Sequence, residues 1–142
     1  MVRITEVAFG SPEHAGAIRL RRAILRTPLG LDFDPAELAA ERDQIHLAAI
    51  EYDEVIGVLL LVPGGRDWKM RQVAVQRERQ NDGLGTKLVK VAEREALRQG
   101  AARMVLHARE AAIPFYLRLG YELEGEPFTE VGIPHRRMVK LL

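Results

Sequence analysis

The segment Val73–Thr86, V-A-V-Q-R-E-R-Q-N-D-G-L-G-T, restricts the possible folds of this chain more than any other. A β-type run ends at Val75, a charged turn follows, and Gln80-x-x-Gly83-x-Gly85 opens a long amphipathic helical pattern. A strand that feeds a glycine-bearing loop at a helix start makes an anion site. The loop amides lack partners, and the helix dipole places roughly half a positive charge there. A phosphate-bearing ligand is expected at this loop.

The flanking patterns place the segment in a larger unit. Val2 to Phe9 reads as a first strand. Ser11-Pro12-Glu13 is a helix start, with a serine cap, proline at the first helical position and an acid in the first turn. This helix is expected to run to about Leu25, and Asp34-Pro35-Ala36-Glu37 opens a second, shorter one. Gln44–Glu51 and Glu54–Val62 are β-prone runs split by Tyr52-Asp53, which predicts a hairpin, and Trp68–Val75 returns after Pro63-Gly64-Gly65. Leu84, Leu88, Val91, Ala92 and Ala96 recur at helical spacing up to the stop at Gly100. Arg103–His107 then reads as a buried strand, Ala111–Leu119 as a helix closed by Gly120, and Tyr121–Glu126 and Arg137–Leu142 as closing strands. Strands, then a β-α-β-α unit, then strands argue for an α/β fold: a mixed sheet with helices on both faces.

Composition narrows the function classes. A length of 142 residues suits one domain, residues 1–142, and no linker or repeat divides it. The net charge of +1 gives no global drive toward nucleic acid or an anionic membrane. The absence of cysteine excludes a disulfide framework, a thiolate metal site and a cysteine nucleophile, and no metal is expected. It also fits a reducing compartment, so a cytoplasmic location is expected. The opening Met1–Glu6 lacks a signal-peptide core, and the longest apolar run, Val55–Val62, ends at Pro63, far too short to span a bilayer.

Three phosphate motifs compete for the glycine loop. A P-loop needs a glycine five residues before Gly85 and Lys-Ser/Thr after it; here Gln80 precedes and Thr86-Lys87 follows. A dinucleotide fingerprint needs a third glycine where Leu88 stands. The pattern [Q/R]-x-x-G-x-[G/A] is filled by Gln80, Gly83 and Gly85. With Val73-Ala74-Val75 before it, and Ala112-Ile-Pro-Phe-Tyr116-Leu-Arg-Leu-Gly120-Tyr121 downstream, the chain resembles the GNAT family of acyl-CoA-dependent N-acetyltransferases. The closing run Glu126–Met138 resembles the ElaA-like branch of that family.

The resemblance implies a mostly antiparallel mixed sheet whose parallel fourth and fifth strands splay apart. Acetyl-CoA would then be the cosubstrate, its pantetheine arm along Val73, Ala74 and Val75 and its diphosphate on Gln80, Asn81, Asp82, Gly83, Leu84, Gly85 and Thr86. Arg109, Ala112 and Phe115 would join its surroundings, although Arg109 stands where the family commonly has asparagine. Asn81 replaces a frequent glycine, and asparagine tolerates left-handed backbone. The Asp82 side chain is expected to face solvent. Tyr116 is implied as the acid that protonates the departing thiolate. His107, Glu110, Glu130 and His135 are candidates for the base, with His135, read as part of a rigid turn before the last strand, favoured at the acceptor site beside His107. Arg21, set among Ala17, Ile18, Ile24 and Leu25, is expected to reach a substrate carboxylate, whereas Arg19, Arg22 and Arg26 read as a solvated face. The implied reaction is acetyl transfer to an amine of a small molecule or protein, with a non-catalytic CoA-binding module as the alternative and a homodimer as the family's plausible assembly.

Overall fold

A computed structural model describes residues 1–142. Its strands are β1 (Arg3–Glu6), β2 (Ile45–Glu51), β3 (Glu54–Val62), β4 (Asp67–Val75), β5 (Arg103–Arg109), β6 (Glu122–Glu130) and β7 (Ile133–Leu141). They form one sheet in the order β1-β2-β3-β4-β5-β7-β6. All neighbours are antiparallel except β4 and β5. The helices are α1 (Pro12–Arg21), α2 (Pro35–Ala39), α3 (Leu84–Arg98) and α4 (Ile113–Arg118).

Local chemistry sets many of the boundaries. The Ser11 hydroxyl accepts from the His14 amide at 3.1 Å and starts α1. Asp34 and Glu37 form a reciprocal capping box at α2. Tyr52 and Asp53, with φ of 51° and 61°, make the left-handed two-residue turn that joins β2 to β3. Alternation along the strands feeds two layers. Leu47, Ala49, Leu59 and Leu61 pack with Leu84, Leu88, Ala92 and Ala96 of α3. Val58 and Ala74 pack on the other face with Ala17 and Leu20 of α1. Gly57 lets α3 approach, since a Cβ there would stand 2.9 Å from Leu88 Cδ1.

The site depends on how β4 parts from β5. Their pairing runs from Asp67↔Arg103 to Met70↔Leu106 and stops. On the opposite edge Val58 pairs with Ala74 and Leu60 with Arg71, so Gln72 and Val73 together face Leu59. This is a β-bulge, with Gln72 at φ 55°. Bulges bend a strand and increase its twist, and here the bend lies where the last residues of β4 leave β5.

Several boundaries differ from expectation. β1 is shorter than Val2–Phe9, because its pairing with β2 covers only Arg3 to Glu6. The first helix keeps α geometry only to Arg21 and continues as a π turn, Arg22–Arg26. β6 and β7 extend further inward than expected, and the turn between them is Val131-Gly132, with φ of 46° and 79°. His135 therefore lies within a strand, not in a rigid turn. No helix is long and apolar enough to cross a membrane.

Candidate active site

Beyond β4 the chain makes a 3-10 turn, Arg77–Arg79, and enters α3 through the glycine loop. Gln80 Nε2 donates to the Val75 carbonyl at 2.9 Å and closes the loop on itself. Asn81 and Gly83 take left-handed backbone, φ 70° and 87°, as expected for these residue types. No side chain caps α3, and Lys87 N–H donates to the Gly83 carbonyl at 3.1 Å. The preceding amides of Leu84, Gly85 and Thr86 therefore lack helical acceptors. Nothing lies within 4 Å of a Cβ placed on Gly83, whereas one on Gly85 would meet Phe115 Cζ at 3.3 Å.

A cleft of about 500 Å³ opens over this loop. Val73, Ala74, Val75, Gln80, Asn81, Gly83, Gly85, Thr86, Ala112 and Phe115 line it, together with Ile24, Arg118 and Leu119, which were not expected at the cosubstrate. Asp82 is exposed and accepts from Arg79 Nε at 3.3 Å, as expected of a side chain outside the cleft. Arg79 also pairs with Glu51. Leu84 turns its side chain into the core and leaves only its backbone at the loop.

A smaller inner cavity of about 120 Å³ shares Val73, Ala112 and Tyr116 with the cleft. Tyr116 thus borders both spaces, its ring packed against Phe115 and Tyr121 at centroid distances of 4.9 and 5.7 Å. Burial pushes its hydroxyl well above the ordinary tyrosine value, so it stays protonated. The inner cavity also receives His107, Glu130 and His135. His135 Nδ1 lies 3.0 Å from the Ile133 carbonyl, which fixes the proton on Nδ1 and leaves Nε2 with a lone pair in the neutral ring. That Nε2 stands 3.7 Å from Glu130 Oε2, while His107 Nδ1 donates to Glu130 Oε1 at 2.9 Å. Burial raises the Glu130 pKa, but the His107 hydrogen bond and the neighbouring His107, His135 and Lys69 hold it below the ordinary glutamate value. Glu110 is exposed and lines neither space.

Three arginines depart from expectation. Arg21 does not face a substrate: it is buried, and Nη1 and Nη2 donate to Glu41 at 2.8 and 2.9 Å. Its carboxylate partner belongs to the protein. Arg26 is not on a solvated face; it is 6% exposed and lines the inner cavity. The π turn widens the helix there, so α periodicity no longer predicts which residues face inward. Arg109 does not join the loop cleft. Its Nη2 donates to the Leu25 carbonyl at 2.6 Å and it lines the inner cavity. No cluster of three or more His, Cys, Asp or Glu residues suitable for a metal ion is present.

Comparison with known proteins bears on this geometry. Residues 33–142 match the family model described as Acetyltransferase (GNAT) domain. The Bacillus subtilis uncharacterized N-acetyltransferase YjcF is 34% identical over 73 residues, a stretch covering 51% of this chain and 52% of that protein. The chain thus spans about half the length of that relative. An aminoglycoside 6'-N-acetyltransferase complexed with coenzyme A has the same fold, with a TM-score of 0.81 at 20% identity over 98% of this chain and 96% of that one. Escherichia coli ElaA matches with a TM-score of 0.82 at 18% identity over 99% of both chains. The family model covers more than three quarters of the sequence, including the glycine loop and the β4–β5 cleft, and the chain belongs to the GNAT acetyltransferase family.

Proposed function

We propose that this protein transfers an acetyl group from acetyl-CoA to a primary amine by direct attack within a ternary complex. The observation that carries the reading is Tyr116, which borders the loop cleft on one side and the inner cavity on the other. In this reading the diphosphate rests on the amides of Leu84, Gly85 and Thr86, where unpaired N–H groups and the α3 dipole favour an anion. The pantetheine arm lies along Val73, Ala74 and Val75, where β4 has no strand partner on the β5 side. The amine enters the inner cavity.

The amine must attack as a free base, and an ordinary alkylammonium has a pKa of roughly 10. His135 Nε2 takes its proton through water, and Glu130 stabilises the resulting imidazolium. The N–C bond forms, a backbone amide near Val73 donates to the carbonyl oxygen as it gains charge, and the C–S bond breaks. The Tyr116 proton goes to the sulfur, and the proton that the attacking nitrogen sheds as the amide forms returns through water to the Tyr116 oxygen. Because burial suppresses the phenolate, Tyr116 acts as donor and not as base. The closing run Glu126–Met138 supports placement in the ElaA-like branch.

A thiol-release assay with acetyl-CoA and an amine panel tests the reading. Tyr116→Phe is expected to lower kcat about a hundredfold while retaining the thermal shift caused by acetyl-CoA. An unchanged kcat removes Tyr116 from the acid role. Saturable acetyl-CoA binding with no thiol release for any amine favours the regulatory module instead.

A further inference from the structure

The inner cavity adjoins another of about 350 Å³, and the two share Arg26, Arg71, His107 and Glu130. The fixed charges around both are Arg26, Lys69, Arg71 and Arg109 against Glu37 and Glu130. The two carboxylates do not balance the four cations. Glu130 already lies between two histidines. Arg71 donates to Gln44 at 3.0 Å and to Glu41 at 3.4 Å, but Glu41 is held on both oxygens by Arg21.

Arg26 is the sharpest case. Only 6% of it is exposed, and it makes no ion pair. Its guanidinium lies 4.6 Å from the Phe33 ring centroid, and Nη1 donates to the Leu25 carbonyl at 3.3 Å. Arg109 Nη2 donates to that same carbonyl at 2.6 Å. Two guanidinium groups therefore converge on one neutral oxygen of the π turn, beside the cavity that also holds Tyr116 and His135. Burial lowers the pKa of Arg26, Arg109 and Lys69, which marks all three as cations short of compensation. A buried charge without a counter-charge is costly, and the planar fork of arginine matches carboxylate and phosphate oxygens.

We infer that the acceptor carries, besides its amine, an oxyanion (a carboxylate or a phosphate) held by Arg26 and Arg109 in the inner cavity. This rests on the reading of that cavity as the acceptor site. The two poles orient the molecule. Glu130 and His135 receive the amine, and the arginine pair receives the oxyanion. A polycationic acceptor, such as an aminoglycoside, meets like charges at this site.

The test uses matched acceptors: amino acids against their amides, aminoalkyl phosphates against the corresponding amino alcohols, and one aminoglycoside. The expected kcat/KM is at least tenfold higher for the anionic member of a pair, and the two arms identify which oxyanion is preferred. Arg26→Met and Arg109→Met, each verified by a native circular dichroism spectrum, bring that ratio toward one, chiefly through KM. Equal or higher kcat/KM for the neutral members, or an undiminished ratio in both variants, overturns the inference. Calorimetric titration of the CoA-loaded protein provides a readout independent of turnover. N-acetyl amino acids and N-acetylaminoalkyl phosphates are compared with their neutral counterparts, with at least tenfold tighter binding expected for an anionic set. If acetyl-CoA binds but no amine reacts, the catalytic reading fails, and this titration alone decides the anion site; equal binding by charged and neutral compounds refutes it.

Discussion

Arg21 and Arg26 lie five residues apart, yet one is neutralised by Glu41 and the other has no carboxylate within ion-pair distance. Removing one partner of a buried pair leaves an uncompensated charge, so Glu41→Ala is expected to cost about 3–5 kcal/mol in urea unfolding. Replacing both partners by Arg21→Met with Glu41→Leu should recover much of that loss, because apolar groups need no counter-charge. A Glu41→Ala protein of wild-type stability would contradict this account of the pair. At the glycine loop, a side chain on Gly83 meets no protein atom within 4 Å, so its cost is twofold: left-handed backbone, about 1–2 kcal/mol, and bulk over the free amides. Gly83→Val should therefore abolish the acetyl-CoA thermal shift while the protein remains folded. Gly85→Val should do so by pushing against Phe115. A full shift in either variant would remove that glycine from the binding surface.

At the scale of the elements, capping and periodicity located α1, α2 and α3 because the signals act within a few residues of themselves. The bulge at Gln72 and the π turn at Arg22–Arg26 carried no comparable signal. A bulge is defined by the partner strand, and a positive φ at glutamine is not a preference of that side chain. The contact of α3 with β3 is equally non-local. Gly57→Ala forces a methyl to 2.9 Å from Leu88 Cδ1 and 3.3 Å from Ala49 Cβ, and is expected to cost about 1–3 kcal/mol by overpacking. Leu88→Ala alone is expected to cost about 2–5 kcal/mol, since Leu88 is fully buried. The double variant should lose less than the sum, because one change makes the room the other needs. Strict additivity in denaturant titrations would argue that the two side chains do not meet.

At the scale of the whole molecule, charge ties the sheet together and makes stability depend on pH. Arg103 joins Asp67 of β4 and Glu124 of β6, and Arg137 of β7 also holds Glu124. Hydrogen bonds from these arginines lower the pKa of Asp67 and Glu124, so the contribution is complete above the unfolded values, 3.8 and 4.5, and is lost as pH falls through the lower folded values. His14 acts earlier. Burial, then the charges of His46 and Arg21, lower its pKa, so the unfolded chain takes up a proton first as pH falls below the ordinary histidine value of 6.5. Urea midpoints should therefore be level above about pH 6.5, decline once as pH falls below it, and decline again below about 4.5. A level profile from pH 7.5 to 5 would contradict the His14 assignment, and a level profile from pH 5 to about 3 would contradict that of Asp67 and Glu124.

Sequence by itself determined the strand–loop–helix segment, the capped helix starts, the position of the hairpin at Tyr52-Asp53 and the suitability of the glycine loop for an anionic ligand. These follow from interactions among residues close in the chain, and Asn81, Gly83 and Ser11 express them alone. Only the tertiary structure decided where each arginine acts, that Tyr116 borders two spaces, and that Glu130 lies between His107 and His135. Those outcomes depend on β4 leaving β5, on β7 entering between β5 and β6, and on the π turn at the end of α1. Burial and counter-charge are properties of a place in the fold, and residues distant in sequence create that place.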